Sequence, residues 1–428
     1  MDSMVIRKAK QIKGEITVAA DKSISHRAVM LSALAQGESV VRNFLEAEDT
    51  LSTCNCMRSM AVNIKKTGAE LIIKGRGLQG LKEPESVLYC GNSGTTTRLL
   101  TGILAGLPFF SVLNGDNSLN QRPMKRVVEP LELMGAQIMG RHGGNYLPLA
   151  IKGHNLKGIK YKLPVPSAQV KSAILLAALN AQGVSEIIES KKSRDHTENM
   201  LKAMGGSIQV DELGVRLYPG KELSPQDFLV PGDISSAAGG IVAASIIPNS
   251  ELKISDVGIN PTRAGIIEVL QKMGGGIKIE NQRQIGGEPI ADIIVSSSPL
   301  KAANVQGELI PRLIDEIPIL AVAMAAAEGE SVVRGAEELR VKETDRIAAI
   351  CTELNKMGVI IEELEDGFVI KGKGVPFAGC RVSSHGDHRI AMSLAIAGLA
   401  AQEETIIDNT SVVNISFPMF WDILHRIG

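Results

Sequence analysis

The chain has 428 residues, 44% hydrophobic and 22% charged, which suits a globular protein of two domains whose core needs no staples. Lys and Arg total 46 against 47 Asp and Glu, for a net charge of −1, and aromatics are 3%. That balance argues against a nucleic-acid binder or a membrane-surface protein, while leaving room for a local cationic cleft.

In chain order, MVIRKA and GEITVAA open the sequence as two strands. An Ala-rich apolar helix then begins near Ser23 and recurs near Ser93, Ala168, Ile234, Glu316 and His388, at intervals of 70, 75, 66, 82 and 72 residues. Each copy is followed by a β-type segment: ESVVRNF, PFFSVLNG, VSEIIES, SELKISDV, ESVVRGA and ETIIDNT. A second, amphipathic helix comes next, ending in Met-Gly in four copies, where glycine serves as a helix stop. Paired short strands such as LIIKGRGL, LAIKGHNL and FVIKGKG close the unit.

The repeat is therefore βαβαββ, six times. Helices apolar all round belong inside, with sheets around them. The sixth unit stops after FPMFWDILHRI, and the N-terminal strand pair is expected to complete it. The expected class is α/β, a two-domain inside-out α/β barrel. Its domains would be 21–231, and 1–20 with 232–428.

The longest apolar run, Ile317 to Ala327, is too short to span a bilayer, and the N-terminus lacks a signal-peptide stretch. A cytoplasmic location without membrane contact follows as an expectation. The five cysteines form no C-x-x-C, so disulfides and zinc are not expected; Cys54 and Cys56 read as packing residues on a helix. His385 and His388 carry no metal expectation.

Polar residues gather at the starts of the apolar helices: Asp21-Lys22-Ser23 with Arg27, Gly91 to Thr95, Ser167-Ala168-Gln169 with Lys171, Gly232-Asp233, Asp315-Glu316, and Asp387-His388-Arg389. Helix starts present unpaired N–H groups and bind anions. Capping explains Ser93 and Asp233. It does not explain Lys22, Arg27, Lys171 or Arg389, cations placed where they oppose the helix dipole, so an anionic ligand is expected. Arg122, Arg194, Lys342 and Arg346 stand near second helices, with Pro123 fitting helix position N1. Several arginines in one cleft suit phosphate and carboxylate. Lys125, Lys191 and Lys192 read as solvated. Asp315, Glu316 and Glu343 add carboxylates for acid–base work. No G-x-x-x-x-G-K-[ST] or G-x-S-x-G occurs, and the Gly-Gly stretches at 274–276 and 286–287 open no dinucleotide fingerprint.

The motifs DKSISHR, GNSGTTTR, QRPM, SAQVKSA, RDHTE, DEIPILA, RVKETDRI, GDHRIAM and SFPMF occur in the order found in the 5-enolpyruvylshikimate-3-phosphate synthases, enolpyruvyl transferases that the chain resembles from about residue 5 to 427. The resemblance implies two domains of three βαβαββ units. It implies transfer of the enolpyruvyl group of phosphoenolpyruvate to the 5-hydroxyl of shikimate 3-phosphate, by addition then elimination, without metal or organic cofactor. Carried over by motif, Lys22, Ser23, Arg27, Ser167, Ala168, Gln169, Arg194, Asp315 and Lys342 are expected at shikimate 3-phosphate. Lys22, Gly94, Arg122, Gln169, Arg346, His388 and Arg389 are expected at phosphoenolpyruvate. Lys22, Asp315 and Glu343 are the proton-transfer candidates, with the steps unassigned.

Two phosphates and two carboxylates bring about five to six negative charges. Lys22, Arg27, Arg122, Arg194, Lys342, Arg346 and Arg389 would supply seven positive ones. Because they come from both halves, closure on binding is expected. The chain is expected to act as a monomer.

One branch of the family has a lysine where Ile415 stands here. SAQVK, RDHTE and NPTR resemble a second branch, often less sensitive to the inhibitor glyphosate, whereas Gly94 keeps the glycine that leaves room for it. The resemblance extends to the transferase acting on UDP-N-acetylglucosamine, but SLNQRPMKR lacks that enzyme's loop cysteine. A non-catalytic anion-binding repeat protein is the other alternative; Asp315 and Glu343 argue against it.

Overall fold

A computed structural model describes residues 2–212 and 214–428, residue 415 for its backbone alone. The chain forms two compact units. One comprises Met1–Ala19, Pro231–Arg283 and Pro289–Gly428; the other comprises Ala20–Val230 with Gln284–Glu288. The five-residue segment 284–288, the tip of the hairpin formed by strands Gly276–Ile285 and Glu288–Ser296, had no sign in the sequence of separate membership.

Each unit is an inside-out α/β barrel with three apolar helices at its centre. In the unit of residues 20–230 these are Lys22–Leu34, Gly94–Ala105 and Ala168–Ala178. Almost every side chain on them is buried. Their small residues permit close approach: a Cβ on Gly102 would lie 2.2 Å from the carbonyl oxygen of Ala173 on the neighbouring helix. The other unit centres on Ile234–Ile246, Ile317–Ala326 and His388–Leu399.

Sheets surround each trio. In the 20–230 unit, Gln36–Arg42 lies parallel to Phe228–Leu229 and antiparallel to Glu70–Arg76, which pairs with Asn63–Thr67. Two further sheets repeat this order around Phe110–Asn114 and Ser185–Ile188. Around helices Gly94–Ala105 and Ala168–Ala178 the strand before the helix thus lies parallel to the strand after it, whereas beside Gln36–Arg42, the strand after helix Lys22–Leu34, that place is taken by Phe228–Leu229.

The N-terminal strands do not stay together, which corrects the expectation that both complete the sixth unit. Ser3–Ile6 pairs antiparallel with Thr405–Asp408, as expected. Lys13–Thr17 instead lies parallel to Glu251–Ser255 in the fourth unit's sheet, with Ile12 N–H donating to Ser250 Oγ at 2.8 Å. The reason is topological. Phe228–Leu229, the strand preceding helix Ile234–Ile246, is used by the sheet of Gln36–Arg42. The fourth unit therefore lacks a leading strand until Lys13–Thr17 supplies it.

Candidate active site

Side chains cap five of the six central helices. Asp21 accepts from Ile24 N at 2.8 Å, Ser93 from Thr96 N at 3.1 Å and Ser167 from Val170 N at 3.5 Å. Asp233 accepts from Ser235 N at 2.9 Å and Asp387 from Arg389 N at 2.7 Å. The sixth, Ile317–Ala326, has no side-chain cap; a 3₁₀ turn Ile314–Glu316 leads into it and carries Asp315.

In the 20–230 unit, Lys22 opens its helix and its Nζ donates to Asp49 Oδ2 at 2.9 Å. One turn on, Arg27 is 4% exposed. Its Nε donates to Thr197 Oγ1 at 2.7 Å, Nη2 to Ser172 Oγ at 2.9 Å and Nη1 to the carbonyl of Ser23 at 3.0 Å. Burial pushes this guanidinium down to about 10, against the pull of Glu198 and Asp21; the half-buried Arg194 adds to the push. Thr197 lies in the first turn of helix His196–Ala203, which places Arg194 in the loop before it.

Gly94, Arg98, Arg122 and Gln169 converge. A Cβ on Gly94 would lie 2.8 Å from Arg98 Nη1 and 3.6 Å from Arg122 Nη1. Arg98 Nη1 donates to Gln169 Oε1 at 2.5 Å, and Gln169 Nε2 donates to Thr95 Oγ1 at 3.2 Å. Arg122 is held by Asn92, through its side chain and, at 3.4 Å, its carbonyl. Pro123 is not at N1: the helix is Lys125–Leu133, and Arg122 follows a 3₁₀ turn, Leu119–Gln121. The missing N–H of a proline fits several loop positions, so the residue type did not fix the helix start.

Lys171 also departs from expectation. Its Nζ stands 2.7 Å from both Glu189 and Glu198, with the three side chains at most 5% exposed. Internal carboxylates account for this cation. Lys125 pairs with Glu129 at 3.5 Å on the surface, as a solvated residue should.

In the other unit, Arg346 is 2% exposed and meets three carboxylates. Nε donates to Asp387 Oδ2 at 2.8 Å, Nη1 to Asp315 Oδ1 at 3.1 Å and Nη2 to Glu343 Oε2 at 2.7 Å. Burial works against its charge, but Asp387, Glu343 and Asp315 together raise it above the usual arginine range. Lys342 Nζ lies 3.9 Å from Asp315 and 3.5 Å from Glu338. His388 opens helix His388–Leu399 behind Asp387, and Arg389 Nη1 lies 3.9 Å from the fully buried Glu316. Ser235 donates to that carboxylate and accepts from Arg263 Nη2 at 2.7 Å.

The count of seven positive charges therefore needs correction. Asp49 faces Lys22, three carboxylates face Arg346, and Glu316 stands by Arg389. The carboxylates that offset these cations are brought in by the fold, and a sum over the cations alone leaves them out. Groups of His, Cys, Asp and Glu able to hold a metal ion are absent among the described residues. The side chain of Ile415 lies outside the described residues.

The EPSP synthase family model (3-phosphoshikimate 1-carboxyvinyltransferase) matches residues 6–424. The chain belongs to the EPSP synthase family. It is 63% identical over 418 residues to the 3-phosphoshikimate 1-carboxyvinyltransferase of Syntrophomonas wolfei, covering 98% of each chain. It is 54% identical over 428 residues to the same-named protein of Geobacter metallireducens, covering all of both. The solved EPSP synthase of Acinetobacter baumannii superposes with a TM-score of 0.90 at 46% identity, over 100% of this chain and 98% of that one.

Sequence reasoning within this EPSP synthase family chain missed Asp49 and Arg98. Arg98 lies one helical turn after Gly94, inside GNSGTTTR, so its spacing could have found it. Asp49 is 27 residues from Lys22, and nothing local joins them.

Proposed function

We propose that this chain transfers the enolpyruvyl group of phosphoenolpyruvate to the 5-hydroxyl of shikimate 3-phosphate, releasing phosphate, in the shikimate route to aromatic amino acids. The observation that carries the reading is Arg346 held among Asp315, Glu343 and Asp387, a buried cation fixed beside two candidate proton carriers. In the addition step the hydroxyl oxygen gives up its proton and bonds to C2 of phosphoenolpyruvate, while C3 takes up a proton and the double bond is lost. In the elimination step a methyl proton leaves and the C–O bond to phosphate breaks, restoring the double bond.

In the 20–230 unit, Lys22, Ser23, Arg27, Ser167, Ala168, Gln169 and Arg194 are proposed at shikimate 3-phosphate. Lys22, Gly94, Arg122 and Gln169 are proposed at phosphoenolpyruvate. In the other unit, Asp315 and Lys342 are proposed for the former substrate, and Arg346, His388 and Arg389 for the latter. Lys22, Asp315 and Glu343 are proposed to move the protons. This chemistry invokes no metal or organic cofactor. The five capped helix starts supply oriented N–H groups that favour such anions. A monomer in the cytoplasm is part of the same proposal; among the described residues no helix is long and apolar enough to cross a membrane.

Phosphate release tests the reading. Release that needs phosphoenolpyruvate and shikimate 3-phosphate together is expected. Release with UDP-N-acetylglucosamine instead, or none from folded protein, would overturn it.

A further inference from the structure

The turn between strand Arg381–Ser383 and helix His388–Leu399 is gripped at two points by one neighbouring helix, Arg346–Lys356. Near that helix's end, Glu353 is 0% exposed. Its Oε1 accepts from His385 Nε2 at 2.7 Å and from Lys356 Nζ at 2.8 Å. Its Oε2 accepts from Ser383 N at 3.1 Å and from Lys356 Nζ at 2.9 Å. An ionised carboxylate only accepts, so the His385 hydrogen facing it sits on Nε2.

At the same helix's start, Arg346 Nε holds Asp387 Oδ2 at 2.8 Å. Seven residues are about two helical turns, so Arg346 and Glu353 share a face, with Ile350 buried between them. The gripped turn has unusual backbone. His385 has φ 51° and Gly386 φ 72°, consecutive left-handed residues, the first of which carries a side chain. Such a conformation persists when its surroundings over-determine it. Here Glu353 fixes 383 and 385, and Arg346 fixes 387. Asp387 in turn accepts from Arg389 N at 2.7 Å and so sets where His388 and Arg389 begin.

We propose that Glu353 and His385 are positioning residues for phosphoenolpyruvate: they lock the 383–387 turn so that Asp387 holds Arg346 and starts the His388–Arg389 helix in the binding geometry. The proposal rests on the reading that Arg346, His388 and Arg389 contact phosphoenolpyruvate. A purely structural pair would shift stability or both substrates alike. A positioning pair shifts one substrate.

Steady-state kinetics on the full chain separates these. His385→Ala is expected to raise KM for phosphoenolpyruvate about tenfold, with KM for shikimate 3-phosphate unchanged. His385→Gln, whose amide can still donate to Glu353, is expected to recover most of the loss. Glu353→Gln should behave as His385→Ala does. Lys356→Gln, which removes only the half-exposed partner, should match the parent. Arg389→Gln reports on the underlying reading. If it raises KM for phosphoenolpyruvate and His385→Ala does not, or if His385→Ala moves both KM values equally, the positioning role is wrong. If Arg389→Gln leaves KM for phosphoenolpyruvate unchanged, the site reading fails and the positioning role with it. A melting curve for each variant identifies any loss that comes from unfolding. Because His385 is about a third exposed, its variants are expected to fold.

Discussion

Lys171 Nζ and Glu198 Oε1 stand 2.7 Å apart, their side chains 2% and 3% exposed, with Glu189 on the other side of the ammonium at 2.7 Å. A lysine inside an apolar helix would ordinarily lose its proton to burial. Here Glu198 and Glu189 reverse that and raise it, while burial still raises Glu198. Lys171→Met removes the cation that lies 2.7 Å from both carboxylates. Breaking a buried pair from one side costs about 3–5 kcal/mol. A urea midpoint for Lys171→Met equal to the parent's would show that the pair does not stabilise the unit.

His26 is fully buried, and burial, with Lys22 and Arg27 behind it, holds its imidazole well below the usual histidine value. Its Nδ1 shares a hydrogen with Thr53 Oγ1 at 2.7 Å, and Thr53 with Thr96 at 2.7 Å. The unfolded chain takes up a proton below about pH 6.5 that the folded chain refuses, so the folded state loses about 1.4 kcal/mol per pH unit below that point, until the depressed folded value is reached. The parent should therefore lose more stability between pH 6.5 and 5 than His26→Gln does. Parallel pH profiles would sink the assignment.

The repeat was legible because apolar helices and strand pairs carry their own periods, and the caps because Asp and Ser at helix starts have a local job. The split of the N-terminal strands was not. Ser3–Ile6 and Lys13–Thr17 look alike, and only the use of Phe228–Leu229 elsewhere decides where the second one goes. Cations were easier to find than the groups facing them. Lys22 was singled out, but Asp49 comes from a helix 27 residues on, and Lys171 gave the same signal as Lys22 while having internal partners. A charge count needs the fold before it becomes a field.

Gly94→Ala probes the arginine cluster directly. The new Cβ at 2.8 Å from Arg98 Nη1 forces that guanidinium aside, and being the end of a flexible side chain it can swing away from Gln169 at little cost to stability. The expected result is a KM for phosphoenolpyruvate raised about tenfold with an unchanged melting temperature. A raised KM for shikimate 3-phosphate alone would mean that the cluster serves the other substrate.

Glu343→Gln separates catalysis from anion holding. Arg346 keeps Asp315 at 3.1 Å and Asp387 at 2.8 Å in this variant, so its position and the fold should survive. What disappears is a carboxylate able to carry a proton, a role typically worth about 10²–10⁴ in rate. Turnover should fall by that order, while shikimate 3-phosphate measured by calorimetry binds as before or more tightly, since a negative charge has left the site. A protein that only holds anions would show the tighter binding and no turnover in either form. Unchanged turnover with both substrates present would remove Glu343 from the proton-transfer set and leave Lys22 and Asp315 to divide the two steps.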